Sequence, residues 1–200
     1  ANKKNKVNFL CSACGDDFPK WNGQCPSCKE WGTLSEFKVL GKKKNSKTEY
    51  RDYRPLNDIL EAEPGERLTT GIVETDRVLG GGLLPGSLLL LGGSPGVGKS
   101  TLALHICSGI NQSVLYVSAE ESEEQVAIRA KRINVESNNL HLSSENDLNG
   151  ILTHIDRISP TLVVIDSIQT ILNSDLDSLP GSPSQIRDCG QKFLEISKQN

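Results

Sequence analysis

Residues 93–100 read Gly93-Ser94-Pro95-Gly96-Val97-Gly98-Lys99-Ser100, which matches the phosphate-binding pattern G-x-x-x-x-G-K-[ST]. The apolar run from Leu88 to Leu91 in front of this loop predicts a buried strand, and Thr101 to Ile110 behind it predict a helix. This strand–loop–helix context is the one in which the pattern binds phosphate, whereas a plain glycine-rich turn requires neither flank. We therefore predict an α/β fold built around the loop.

The residue types in this loop suit a nucleoside triphosphate. Glycines let the backbone curl, so that its N–H groups point at phosphate oxygens where the following helix begins. Lys99 supplies a positive charge for the β- and γ-phosphates, and the Ser100 hydroxyl lies where Mg²⁺ would bind. The predicted ATP-binding segment is therefore Gly93 to Thr101, and Lys99 is also a predicted catalytic residue.

The length and composition of the chain limit the kinds of fold that can surround the loop. A chain of 200 residues with 36% hydrophobic and 4% aromatic residues suits one globular domain with an aliphatic core plus a small appendage. No run approaches the roughly 20 apolar residues of a membrane span, so no membrane contact is expected. The first ten residues lack the apolar segment of a secretory signal, which predicts a reducing, cytoplasmic location.

The basic residues are concentrated near the start of the chain. Residues 1–54 hold twelve Lys or Arg against six Asp or Glu, whereas residues 55–200 hold ten against nineteen. Two interpretations stay open: an electrostatic footprint for a polyanion, or an ordinary solvated linker. The linker prediction covers residues 38–54, where apolar periodicity stops, and divides a unit over residues 1–37 from an ATPase domain over residues 55–200.

Cysteines form two C-x-x-C pairs, Cys11/Cys14 and Cys25/Cys28, separated by ten residues. Four thiolates suit Zn²⁺ by softness and geometry, and a closed four-ligand shell predicts a structural zinc site in a small zinc-ribbon-like unit. Disulfides and an iron–sulfur centre are the alternatives, both disfavoured in a reducing compartment with this spacing. Trp21 and Trp31 are predicted to form the core of the unit. The prediction for Cys107 and Cys189, further along, is plain core packing.

A second predicted strand, Ser113 to Ser118, leads to Glu120. Ser122 and Gln125 then have the spacing of a helix-capping box, which explains the neighbouring acidic residues structurally. Glu120 lies at the carboxyl end of a strand, where ligands bind in open α/β sheets. From the residues alone, Glu120 is equally compatible with a general base and with a charge at the helix terminus.

Leu162 to Asp166 is an apolar strand ending in one acid, the pattern in which an aspartate holds Mg²⁺. Ser167 and Gln169 suit either sensing of phosphate or ordinary turn roles. His141 and His154 have no partner at ligand spacing and are predicted to be surface or packing residues rather than metal ligands. The polar loop over 173–184 ends at a helix start, Ser182-Pro183-x-Gln185. Only three or four strands are then complete, so we expect the sequence to be part of a longer protein.

Together, these motifs resemble the RadA (Sms) family of bacterial DNA repair proteins, which are RecA-like ATPases. The similarity runs from about Phe9 to Cys189. Its motifs are the Cys-Pro-x-Cys knuckle with flanking tryptophans, Thr-Gly-Ile-x-Glu-x-Asp-Arg-Val-Leu-Gly-Gly-Gly (70–82), the phosphate loop, Tyr-Val-Ser-Ala-Glu-Glu-Ser (116–122) and Val-Ile-Asp-Ser-Ile-Gln-Thr (164–170).

The resemblance implies a RecA-like P-loop core, with a mostly parallel sheet and flanking helices. It further implies a hexameric ring on single-stranded or branched DNA, and an ATP-driven helicase that extends branches in homologous recombination beside a recombinase of the RecA type. Glu120 matches the glutamate that activates water in these ATPases. The family continues into a Lys-Asn-Arg-Phe-Gly segment and a Lon-like domain, and neither is in this sequence.

Departures from the family pattern are modest and remove no chemical group that the mechanism needs. Ser94 stands where an aspartate is common, Ala119 where glycine is common, and Thr75 where a larger apolar residue is usual. By the same resemblance, the loop over 173–184 occupies roughly the place of a DNA-binding loop in RecA-like rings. It contains no Lys or Arg and is therefore a weak candidate for phosphate contact. Two alternative functions remain: a KaiC-like signalling ATPase without nucleic acid, and a zinc-bearing adaptor gated by nucleotide.

Overall fold

The computed structural model describes residues 7–38, 53, 55–60, 66–176 and 178–198. The chain divides into two units, Ala1–Gly65 and Glu66–Asn200, and each is described by itself. The predicted basic linker over residues 38–54 falls almost wholly outside the described residues. Before the second unit, the described residues contain one short helix, α1 (Leu56–Leu60).

Three short antiparallel strands build the N-terminal unit, with β1 at the centre of the order β2-β1-β3. The strands are β1 (Val7–Cys11), β2 (Asp17–Phe18) and β3 (Leu34–Lys38). Phe9 pairs with Phe18, and Cys11 pairs with Leu34. This register places the first cysteine at the end of the central strand, beside the apolar residue that opens β3.

The core of this unit differs from the prediction, because neither tryptophan is inside it. Trp21 is 61% exposed and Trp31 is 73% exposed. The buried residues are Cys11, Cys25 and Leu34, with Phe9 and Phe18 packed against them. The cysteines fill the centre themselves, and the indole rings of Trp31 and Trp21 lie near Gly23, 3.5 and 3.8 Å from where its Cβ would be.

The second unit contains a parallel three-stranded sheet in the order β5-β4-β6. Its strands are β4 (Val114–Ser118), β5 (Leu140–Ser143) and β6 (Leu162–Asp166). Its helices are α2 (Val73–Val78), α3 (Lys99–Gly109), α4 (Glu123–Arg132), α5 (Leu148–Ile158), a 3-10 turn (Ile168–Thr170) and α6 (Pro183–Ser197). No helix among the described residues is long and apolar enough to cross a membrane.

Alternating residues of the central strand β4 face two separate apolar clusters. Tyr116 packs with residues of α3 and α4, including Leu104 and Val126. Leu115 packs on the other side with residues of α5 and α6, including Ile151. Since every β4 residue is buried, helices cover both sides of the strand, as expected for a parallel sheet. The predicted α/β class is therefore confirmed.

Helix starts follow the local signals in the sequence. The Ser122 hydroxyl accepts a hydrogen bond from the Gln125 N–H, while the Gln125 side chain accepts one from the Ser122 N–H, so the predicted capping box is confirmed. At the start of α6, the Ser182 hydroxyl accepts a hydrogen bond from the Gln185 N–H without a reciprocal side-chain bond, and Pro183 lies in the first turn. These caps satisfy N–H groups that have no partner within the helix.

The run from Leu88 to Leu91 is not the buried strand that the sequence predicted. These four leucines are between 48% and 88% exposed, and none pairs with another strand in the described part of the chain. A strand is stabilised by ladder hydrogen bonds and by cover on its faces. Among the described residues, β6 is bonded to β4 alone, and the leucines form no ladder with either strand. The prediction of a buried strand at these leucines was therefore wrong, because an apolar run also needs neighbouring elements to cover it.

The glycines at 80–82 form a tight connection, and all three have positive φ values of 71°, 107° and 124°. They precede Leu83, whose backbone exchanges two hydrogen bonds with Leu68. A Cβ on Gly82 would lie 2.5 Å from the Leu68 carbonyl oxygen. Close backbone approach, rather than phosphate binding, thus accounts for this segment.

Gly109 provides a direct test of packing at the end of α3. A Cβ at this position would lie 1.9 Å from the carbonyl oxygen of the buried Thr70. We expect Gly109→Ala to lower the free energy of unfolding by about 2 kcal/mol or more, because backbone must move to admit the methyl group. Urea-induced unfolding followed by circular dichroism measures this change.

Gly190 is the matched control, because it lies within α6 and a Cβ there would be 3.7 Å from the Ile168 side chain. Gly190→Ala is expected to be neutral or to stabilise by about 0.5–1 kcal/mol, the usual gain of alanine over glycine inside a helix. Equal stability of the two variants would contradict the close contact at Gly109.

Candidate functional site

The four cysteines of the N-terminal unit converge on one point. Their sulfur atoms all lie within 4.8 Å of one another, with Cys11 and Cys28 3.7 Å apart and Cys14 and Cys25 3.6 Å apart. These separations are far longer than a disulfide bond of about 2.05 Å, and all four cysteines are free. The geometry therefore favours a shared metal ion over the disulfide alternative.

Each C-x-x-C pair lies on a turn of the same design. The N–H of Gly15 donates to the Cys11 carbonyl, and the N–H of Lys29 donates to the Cys25 carbonyl, at 2.9 and 3.0 Å. Gly15 and Lys29 both have positive φ, at 76° and 65°. Two equivalent turns thus present two sulfurs each, which suits a tetrahedral site.

The thiols differ in how readily they ionise. Burial opposes ionisation of Cys11, but hydrogen bonds from Thr33 and from backbone N–H groups outweigh it and lower its pKa to about 6. A backbone hydrogen bond at Asp16 favours ionisation of Cys14, but burial and the neighbouring thiols raise its pKa to about 12. Four convergent sulfur donors, one of which ionises readily, fit Zn²⁺.

The predicted phosphate loop leads directly into α3, which begins at Lys99. Gly96 and Gly98 have φ values of 77° and 99°, which glycine adopts without steric cost. Gly98 is the N-cap and supplies no side-chain cap, so the first N–H groups of α3 stay free for an anion. Lys99 Nζ donates to the carbonyls of Gly93 and Ser94 at 2.9 and 3.0 Å. The loop residues therefore fit a triphosphate.

The two predicted carboxylates lie at the same edge of the sheet. Asp166 ends β6 and pairs in register with Ser118, the last residue of β4. Glu120 follows two residues later, and the Ser167 hydroxyl donates to Glu120 Oε1 at 3.0 Å. The parallel order of β4 and β6 thus brings Glu120, Asp166 and Ser167 together.

The phosphate loop does not contact these carboxylates directly in the described part of the chain. Among the described residues, no hydrogen bond or ion pair joins Lys99 or Ser100 to Glu120 or Asp166. The helix that begins at Lys99, α3, packs in the same apolar cluster as Tyr116 of β4. The two halves of the predicted site therefore lie on connected elements without touching directly.

Asp166 has two neighbours that the sequence analysis did not single out. The Tyr116 hydroxyl donates to Asp166 Oδ2 at 2.6 Å. Arg129 of α4 has one guanidinium nitrogen 3.9 Å from the same oxygen and another 2.5 Å from Glu121. A tyrosine inside an apolar strand was the available signal, because a buried phenol normally has a hydrogen-bond partner.

Comparison with known families accounts for both units. Residues 60–198, more than half of the chain, match the family described as the AAA domain. The chain belongs to the AAA domain family. Residues 9–36 match a second family, described as the rubredoxin metal binding domain, in agreement with the four-cysteine geometry. An AAA-type P-loop domain preceded by a zinc-ribbon-like unit is the fold class that the sequence predicted.

Relatives of this AAA domain chain include proteins named DNA repair protein RadA. Those from Bacillus subtilis, Listeria monocytogenes and Aquifex aeolicus are 41%, 42% and 42% identical to it, over 98%, 99% and 98% of the chain. The chain spans only 44%, 45% and 44% of their length. The resemblance to the RadA family is confirmed.

The other residues that the sequence analysis considered in this domain have structural rather than catalytic surroundings. His154 Nδ1 lies 3.1 Å from the Ser143 hydroxyl, as expected for a packing residue. Gln169 is exposed on the 3-10 turn. The buried Gln185 side chain bonds to both backbone groups of Asn173 and to the Ser178 carbonyl, which ties the start of the polar loop to α6. Cys107 and Cys189 are buried, as predicted.

Proposed function

We propose that this chain is the ATP-binding and ATP-hydrolysing part of a DNA repair protein of the RadA type, with a structural zinc unit at its N-terminal end. The observation that carries the proposal is that one domain holds both an uncapped helix start behind the glycine loop and two carboxylates, Asp166 and Glu120, at neighbouring strand ends. The names of the relatives support the assignment to DNA repair.

In this proposal, the residues from Gly93 to Thr101 bind the phosphates. Free N–H groups at the start of α3 donate to phosphate oxygens, and Lys99 exchanges its loop carbonyls for the β- and γ-phosphates. Ser100 and Asp166 are the residues that would hold Mg²⁺. The ion supplies charge neutralisation on the phosphates when bound.

Glu120 is the proposed general base. Its carboxylate accepts a hydrogen bond from Ser167 through Oε1, which leaves Oε2 able to accept a proton from water. Since Ser167 directly follows Asp166, this hydrogen bond links the base to the strand end that carries the proposed metal ligand. Ser167 thus orients Glu120, in place of the phosphate-sensing role considered from the sequence.

The finer proposal is a DNA-dependent ATPase that drives branch migration or unwinding on recombination intermediates. It would act as a homo-hexamer in the cytoplasm, on single-stranded or branched DNA, beside a recombinase of the RecA type. The similarity to RadA proteins supports this proposal, and so does the basic charge over residues 1–54, which suits a polyanion.

The test is nucleotide binding and ATPase activity of the full-length protein. Magnesium-dependent ATP binding by calorimetry and stimulation of turnover by single-stranded DNA are expected. Lys99→Ala should weaken ATP binding about tenfold or more, because hydrogen bonds to charged groups contribute about 1.5–3 kcal/mol. Lys131→Ala, on the last turn of α4, is the control for loss of a lysine elsewhere.

Three results would contradict parts of this proposal. Absence of magnesium-dependent ATP binding, with no effect of Lys99→Ala, would reject the nucleotide site. Turnover indifferent to single-stranded DNA would favour a signalling ATPase of the KaiC-like kind. Intact binding without turnover would favour a nucleotide-gated adaptor.

A further inference from the structure

A buried hydrogen bond fixes one oxygen of Asp166. In β4, Tyr116 lies two residues before Ser118, which pairs with Asp166 across the sheet. Side chains two positions apart in a strand share a face, so the Tyr116 ring runs toward the strand end. Its hydroxyl donates to Asp166 Oδ2 at 2.6 Å, and Tyr116 is fully buried.

A buried phenol hydroxyl normally has a hydrogen-bond partner, and Asp166 Oδ2 is the acceptor for the Tyr116 hydroxyl. A buried hydroxyl without this acceptor would be costly, which makes the contact a stable feature of the folded domain.

Arg129 reinforces the same side of the carboxylate. Its side chain is only 17% exposed, and Glu121 binds one of its guanidinium nitrogens. The nitrogen that lies 3.9 Å from Asp166 Oδ2 is buried, and so is Nε; neither has a hydrogen-bond partner among the described residues. At that distance Arg129 attracts Oδ2 by charge without a hydrogen bond.

The two oxygens of Asp166 therefore have unequal surroundings. Oδ2 faces Tyr116 and Arg129, whereas no hydrogen bond to Oδ1 occurs within the described ranges. We propose that Tyr116, supported by Arg129, is a positioning residue that holds Oδ2 and so presents Oδ1 to the divalent cation of the nucleotide site. This inference rests on the proposed function, in which Asp166 is a ligand of that cation.

Tyr116→Phe is the decisive variant, because it removes the hydroxyl and keeps the ring in the core. Without the hydroxyl, Oδ2 loses its hydrogen bond, and the Asp166 carboxylate is free to turn away from the orientation that presents Oδ1. We expect the magnesium concentration for half-maximal ATPase activity to rise about tenfold, the loss typical of one hydrogen bond to a charged group. Binding of metal-free ATP should stay unchanged.

Leu142→Ala is the matched control for loss of packing. Leu142 packs against the same apolar cluster from the edge strand β5, away from Asp166. We expect this variant to lower the melting temperature and to keep the magnesium dependence of the wild type. A second probe is Arg129→Gln, which keeps Tyr116 intact and should raise the magnesium requirement by about threefold.

The outcomes separate this inference from the proposed function. If the wild-type protein shows no magnesium-dependent binding of ATP, the proposed function fails first. If Asp166→Asn raises the magnesium requirement but a folded Tyr116→Phe protein does not, the positioning role alone is overturned. Should Tyr116→Phe not fold, an unchanged magnesium requirement in Arg129→Gln overturns it.

Discussion

Removal of metal from the N-terminal unit is expected to unfold residues 7–38 while residues 66–198 keep their structure. The buried interior of the unit is little more than Cys11, Cys25 and Leu34, and so small a core cannot offset the entropy of ordering the chain. Structural zinc sites supply this missing stability, with apparent binding free energies of about 10–16 kcal/mol in small zinc units. Hydrogen exchange read by mass spectrometry on the full chain resolves the two regions.

The same prediction has a stoichiometric form. Protein prepared without chelators should contain about one zinc ion per chain, and Cys25→Ser should lose it. Cys189→Ser is the matched control, since Cys189 is equally buried but lies in the second unit, and its zinc content should equal that of the wild type. Metal-free protein with full exchange protection over residues 7–38 would refute a structural metal site.

Glu120→Gln is expected to lower ATP turnover by at least about 10²-fold, the usual contribution of a general base. The amide keeps the size of the side chain and can still accept the hydrogen bond from Ser167. It cannot take a proton from water. Affinity for ATP should therefore stay close to that of the wild type, and single-turnover kinetics should place the loss in the chemical step.

Glu124→Gln provides the comparison for Glu120→Gln. Glu124 is an exposed acid in the first turn of α4, where it complements the helix dipole. Its replacement should leave turnover within about twofold of the wild type and cost little stability, because solvent screens an exposed charge at a helix end. Equal turnover of the two variants would remove Glu120 from the mechanism.

Features specified by neighbouring residues were predictable from the sequence. The capping box at Ser122 and Gln125 involves groups three residues apart, and the strand ending at Asp166 is marked by its own apolar run. Both carboxylates could be assigned to one sheet edge because parallel strands end on the same side. Local patterns were enough wherever the partner lay nearby in the chain.

Features that depend on distant partners were not predictable in this way. Trp31 looked like core material, but sulfur atoms from four separated cysteines occupy the interior instead. The leucines from Leu88 have the composition of a buried strand, yet burial depends on which elements lie beside them. The contact of Arg129 with Asp166 joins residues 37 positions apart, and nothing in α4 alone indicates it.

The exposed indole rings give the protein a built-in optical reporter. Trp21 and Trp31 are the only tryptophans in the chain, and both belong to the N-terminal unit. When tryptophan is excited selectively, the fluorescence of this chain therefore comes from the N-terminal unit, because residues 66–200 contain no tryptophan. A change in emission colour or intensity when nucleotide is added would directly reveal communication between the two units.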